Sequence, residues 1–181
     1  MSAKLYLEDL HVGQRFTSGS FVITEERIKS FAEEFDPQPF HLDDAAAEKT
    51  VFRGLAASGW HTAAVAMKLL VTGGLPLGNG IIGMGGVLSW PKPTRPGDTV
   101  HVESEVLEIT PSKSKPNQAI VRVRSTTLNQ NGETVHQFTS ISKVLFYCAY
   151  LATESPSANI CNNCNGTPLG LLSPDVATFV M

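Results

Sequence analysis

The chain has 181 residues, 42% apolar and 17% charged, with a formal charge of −3. That balance suits one globular domain and argues against a disordered chain or a nucleic-acid-binding surface. No apolar run reaches the roughly 18 residues that span a bilayer, and Glu8 and Asp9 stand where a secretory leader is apolar, so a cytoplasmic protein is expected.

Gly13 and Gly19 punctuate the first twenty residues, and Gln14 to Ile23 reads as extended. Thr24 offers an N-cap oxygen, and Glu25 and Glu26 put negative charge on the first turn, where the helix dipole favours it. Ile28, Phe31, Ala32 and Phe35 then follow at i, i+3, i+4 and i+7, one stripe of an amphipathic helix. Pro37 and Pro39 disfavour the α conformation at Asp36 and Gln38, which predicts a stiff, extended stretch from Asp36 to Phe40. Asp43 or Asp44 can cap a short helix through Ala45, Ala46 and Ala47. Ala57 to Val71 is apolar on nearly every side, the signature of a buried helix, and Gly73 and Gly74 end it.

The second half changes period. Ile81 to Trp90 is apolar and glycine-spaced, and Pro91 to Gly97 is a proline-rich turn. Thr99 to Ile109 alternates until Val106 and Leu107 break the phase, as a bulge would; Ala119 to Leu128 alternates again. Asn131-Gly132 signals a hairpin before a last strand, Thr134 to Phe146. The expected organisation is an α+β domain over 1–146: a helical front, one buried central helix and an antiparallel meander behind it. In 147–181 Ser, Asn, Pro and Gly dominate, and this tail is given no fold role, although Val176 to Met181 is apolar enough to dock. The cysteines, Cys148, Cys161 and Cys164, are an odd count placed late, unlike a secreted disulfide framework. Cys161 and Cys164 lack a second pair of ligands nearby in sequence, so no metal site is expected.

Two segments carry chemistry. The first places Asp36 and His41 five residues apart around Pro37, Gln38, Pro39 and Phe40; in a proline-stiffened loop a carboxylate and an imidazole can turn toward one point. The second is Ser58-Gly59 at the start of the central helix. Its first N–H groups lack internal partners, and Gly59 lets a ligand oxygen approach closely. Several nearby residues take plainer readings. Asp43 reads as an N-cap and Trp60 and His61 as packing residues. His101 and His136 read as surface strand residues. Lys92 and Arg95 read as a solvated turn, with phosphate contact as the alternative. Gly83, Gly85 and Gly86 are too loosely spaced for a phosphate loop.

Asp36, Pro39, His41 and Asp43, followed by Ser58-Gly59, resemble the MaoC-like branch of the hotdog superfamily, which includes (R)-specific enoyl-CoA hydratases. Leu88 to Val100 and the early Val12-Gly13 and Val22 to Glu25 are similar to that family's flanking pieces, so the resemblance covers about residues 8–146. It implies a hotdog fold, an antiparallel sheet wrapped around a central helix 58–71. It also implies a homodimer and syn addition of water to a trans-2-enoyl thioester, giving an (R)-3-hydroxyacyl product, or the reverse. Asp36 is then the base, His41 orients the water and passes a proton to the α-carbon, and Gly59 holds the thioester oxygen. Coenzyme A or an acyl carrier enters as part of the substrate, with no metal or redox cofactor. Gln38 stands where many such enzymes have Asn, and Ser58 where many have His, which leaves chain length and acyl type open. Ser58 can donate to the thioester or to Asp36. A hotdog thioesterase, or a non-catalytic acyl-thioester-binding dimer, are the rival expectations.

Overall fold

The computed structural model describes residues 4–146; the predicted tail, with Cys161 and Cys164, lies outside the described residues. Alternating sequence becomes sheet. Strands β1 (Arg15–Thr17), β2 (Phe21–Val22), β3 (Ile82–Ser89), β4 (Thr99–Pro111), β5 (Gln118–Leu128) and β6 (Thr134–Leu145) form one antiparallel sheet in the order β1-β4-β5-β6-β3, with β2 also on β4. The register shifts between Val106 and Glu108, where the alternation breaks. The Asn131-Gly132 signal sits in the β5–β6 hairpin, with Gly132 at φ 73°, a conformation that a side chain disfavours.

Pairing register explains the core. Val121 lies opposite Ile109 on β4 and Ser142 on β6; Val123 lies opposite Val106 and Ser140. With Val100 and Val102, these valines put a buried apolar face on the sheet. Helix α4 (Gly59–Leu69) lays Val65, Ala66 and Leu69 against it and is followed by a π-helical turn, Leu70–Gly74. Fully burying a Val or Leu side chain such as Val65 or Leu69 contributes roughly 1.5–3 kcal/mol. Burial all round the helix is not what forms. Trp60, Met67 and Val71 are exposed, because a single sheet covers only one side of α4.

In front, α1 (Glu25–Phe35) begins where Thr24 Oγ1 accepts from Arg27 N at 3.3 Å. Two short helices follow, α2 (Pro39–Leu42) and α3 (Asp44–Glu48), the latter capped by Asp43 Oδ1 accepting from Ala46 N at 2.6 Å. The expected extended stretch therefore stops at Gln38. Pro39 opens a helical turn, where its missing N–H forfeits nothing.

Two other expectations change. His136 is buried, because it falls in phase with Ser140, Ser142 and Val144 and pairs with Thr127 across the sheet. Its Nδ1 lies 3.0 Å from Thr127 Oγ1, its Nε2 has no partner, and burial pushes its pKa down to about 4. Arg95 is a strut rather than a solvated turn residue. Its guanidinium donates to the carbonyls of Phe52, Gly54 (2.7 Å) and Leu55 (3.0 Å), fastening the connection that leads into α4. Lys92 does face solvent, paired with Glu133.

Candidate active site

Helix α1 ends by delivering Asp36 to the start of α4. The Asp36 backbone leaves the α conformation (φ −154°, ψ 67°), as a residue before proline must, and this turns its carboxylate inward. Both carboxylate oxygens are held. Ser58 Oγ donates to Oδ2 at 2.6 Å, and Gln38 Nε2 donates to Oδ1 at 2.7 Å. His41, on α2 and 4% exposed, brings its Nε2 to 3.4 Å from the same Oδ2. The proline-stiffened loop thus joins the two groups that its sequence singled out.

The His41 ring has one defined face. Its Nδ1 lies 2.7 Å from the Ala56 carbonyl, which can only accept, so Nδ1 carries the hydrogen and a neutral ring presents a bare Nε2 toward Asp36. Phe40 stands edge-on to the imidazole at 4.5 Å and packs on Phe52 at 5.0 Å, fixing the ring plane. Burial raises the Asp36 pKa. The hydrogen bonds from Ser58 and Gln38 outweigh it, joined by a charge on His41 when that ring is protonated, so the carboxylate titrates below its ordinary range.

Ser58 does two jobs. Besides holding Asp36, its Oγ accepts from Trp60 N at 3.2 Å and caps α4. Among the described residues the Gly59 N–H has no protein acceptor, and it sits at the positive end of the helix. Gly59 is also required by a contact that the sequence did not announce. Trp90 lies across it, with Nε1 donating to the Gly59 carbonyl at 2.9 Å, and a Cβ at 59 would come within 2.9 Å of the indole. Trp90 also meets Trp60 edge-on at 5.6 Å. The signal available was the bulky Trp90 closing a strand before a proline turn, but nothing local says where such a ring lands. Thr62 and Thr94, linked at 2.9 Å, tie α4 to that same turn.

A paired carboxylate and imidazole beside a capped helix start is an arrangement for moving protons next to a bound oxygen. Residues 10–129 match the family model described as MaoC like domain. The chain belongs to the MaoC-like family. A crystal structure of a MaoC-like dehydratase from Rhodospirillum rubrum is 61% identical, with a TM-score of 0.78 over 78% of this chain and 97% of that one. The R-hydratase PhaJ1 of Pseudomonas aeruginosa is 31% identical, with a TM-score of 0.64 over 78% of this chain and 86% of that one. A 3-hydroxybutyryl-CoA dehydratase of Methylorubrum extorquens is 34% identical over 120 residues, 64% of this chain and 72% of the relative. The sheet around α4 is the hotdog fold of this MaoC-like family. Among the described residues no helix is long and apolar enough to cross a membrane, and no group of three or more His, Cys, Asp and Glu could hold a metal ion.

Proposed function

We propose that the protein is a hydro-lyase on acyl thioesters, interconverting a trans-2-enoyl thioester and its (R)-3-hydroxyacyl partner, with Asp36 and His41 as the proton-handling pair. The observation that carries this reading is the shared focus of the two groups: a carboxylate that accepts from Ser58 and Gln38, and an imidazole whose Nε2 faces it at 3.4 Å. Two acceptors so placed grip both hydrogens of one water and turn its lone pair outward.

In hydration the water oxygen bonds to the β-carbon as one of its protons passes to Asp36. The electrons of the double bond move to the thioester oxygen, which the Gly59 N–H stabilises as an enolate. The proton moves from Asp36 to His41 Nε2 and from there to the α-carbon, on the face the water came from, so addition is syn and the pair returns to its starting state. General acid–base help of this kind is typically worth about 10²–10⁴-fold, and one oxyanion donor about 10²–10³-fold. No redox or metal cofactor enters the scheme; coenzyme A or an acyl carrier is the substrate's own arm. The reading includes a homodimer formed along β3, an edge strand with Met84 and Val87 exposed.

The test is direct. Purified protein is given crotonyl-CoA while enoyl absorbance and free thiol are followed together, and the product is resolved by chirality. Loss of absorbance without thiol, yielding the (R)-alcohol, supports the scheme. Thiol release at the same rate identifies a thioesterase instead. Tight binding with no turnover of any enoyl thioester leaves a binding module.

A further inference from the structure

Ser58 does not hold Asp36 in isolation. The Gly59–Trp60 peptide group beside it is tied at both ends. Its N–H, on Trp60, donates to Ser58 Oγ at 3.2 Å, and its carbonyl, on Gly59, accepts from Trp90 Nε1 at 2.9 Å. Ser58 Oγ donates in turn to Asp36 Oδ2 at 2.6 Å. The three bonds run one way: indole N–H to carbonyl, amide N–H to hydroxyl, hydroxyl to carboxylate. Both ends fix that direction, since an indole nitrogen only donates and an ionised carboxylate only accepts.

Bonds in such a chain strengthen one another. A donor on the carbonyl oxygen draws electron density from the amide nitrogen and makes its N–H a better donor. A hydroxyl that accepts a stronger bond gives a stronger one. Packing alone does not account for the nitrogen. The ring already fills the space over Gly59, meets Trp60 edge-on at 5.6 Å and lies 6.2 Å from His136, contacts that any large aromatic ring can make. The nitrogen adds the one feature that reaches the carboxylate.

We propose that Trp90 is a positioning residue: its indole N–H starts a chain of hydrogen bonds that runs through the Gly59–Trp60 peptide and Ser58 and sets how firmly Asp36 is held as a carboxylate. This rests on the hydro-lyase reading above for its role in the reaction. Among the described residues, His41 is the one titratable group paired with Asp36. Glu33 and Glu34 on α1 are exposed, His61 on α4 stacks on Phe31, and Lys92 and Arg95 of the 91–97 turn are engaged with Glu133 and the 52–55 carbonyls.

The experiment titrates Asp36 directly, by the carboxyl carbon resonance of protein labelled at aspartate, assigned by its loss in Asp36→Asn. It needs no substrate, and it separates Asp36 from His136, which packs near Trp90 and titrates at about 4. Trp90→Phe keeps a ring over Gly59 and removes the N–H. Its Asp36 midpoint should rise by a few tenths of a pH unit, the scale set by a neighbour that strengthens a hydrogen bond by roughly 10–30%. The acid limb of kcat/KM on crotonyl-CoA should rise with it. In Ser58→Ala the chain is already cut, so adding Trp90→Phe should move the midpoint no further. An unmoved midpoint in Trp90→Phe, or an equal shift in both backgrounds, overturns the inference and makes Trp90 a packing residue. Melting curves establish that the variants fold. If Trp90→Phe does not, benzothienylalanine at position 90, which keeps the shape of the indole without its N–H, takes its place. A raised midpoint with no turnover of any enoyl thioester leaves the chain standing and defeats the hydro-lyase reading. Turnover with an unmoved midpoint defeats the chain alone.

Discussion

The sheet and the loop from Asp36 to Gly59 are built on opposite terms. In β4, β5 and β6 the same kind of contact repeats: Val102, Val106, Val121, Val123 and Val144 are buried together, and no one of them has a partner the others lack in kind. In the loop each functional side chain has one particular partner far along the chain. Asp36 depends on Ser58, 22 residues away, and His41 on the Ala56 carbonyl, 15 residues away. Stability is therefore spread thinly over the sheet, whereas the proposed chemistry is concentrated in a few polar contacts at the helix start.

The largest expected effects separate the two regions. Asp36→Asn and His41→Ala should each lower kcat/KM on an enoyl thioester by about 10²–10⁴-fold, counted per folded molecule because His41→Ala also empties a buried site and strands the Ala56 carbonyl. Retained activity in either variant would remove the dyad from the mechanism. Val123→Ala should do the converse. Unfolding by denaturant should show a loss of roughly 2 kcal/mol, the transfer of the methyl groups plus a small cavity, with kcat/KM per folded molecule unchanged. A Val123→Ala protein that is stable but slow would mean that sheet and site are coupled after all.

The same contrast explains what the sequence discloses. Strands β4 to β6 are legible from alternation, because a period of two fixes which side chains go inward, and even the bulge near Leu107 shows as a slipped phase. The helix α1 is legible from its stripe and its Thr24 cap. Asp36 and His41 stand out because prolines flank them. The second layer does not. Nothing local in Ser58 says that its hydroxyl will reach Asp36, and nothing in Arg95 or Trp90 says that they will hold the Phe52–Leu55 connection and Gly59. Those contacts come from the packing of α4 on the sheet, which long-range geometry decides. His136 is legible only by its phase. Its even-numbered phase with Ser140, Ser142 and Val144 already put it on the inner face, where an imidazole is a less expected residue than on the surface.

Ser58 belongs to both regions, so its removal should show in both at a smaller scale. Ser58→Ala loses the α4 cap, costing about 1 kcal/mol in thermal or denaturant unfolding. It also loses the strongest of the contacts that hold the Asp36 pKa down against burial. The acid limb of the kcat/KM profile should move to higher pH, since the carboxylate then takes up a proton sooner as pH falls. Ser58→Thr, which keeps the hydroxyl, should restore the limb. A lower kcat/KM with an unmoved limb in Ser58→Ala would make Ser58 a cap and nothing more.

The smallest effect at neutral pH concerns His136, the counterpart of His41 inside the sheet. His41 has a partner for Nδ1 and a facing carboxylate at Nε2, whereas His136 has only Thr127. Burial alone depresses its pKa from 6.5 to about 4. An unfolded chain takes up this proton as pH falls through 6.5, and the folded one resists until about 4, so protonation favours unfolding and stability declines across that window. His136→Gln retains a side chain able to bond Thr127 but cannot titrate. Its melting temperature should fall less steeply than wild type between pH 6.5 and 4, with the two curves closest in slope above pH 7. Parallel curves through the window would show that the buried ring already has a partner for its proton, and that the sheet is held by more specific polar contacts than its valines suggest.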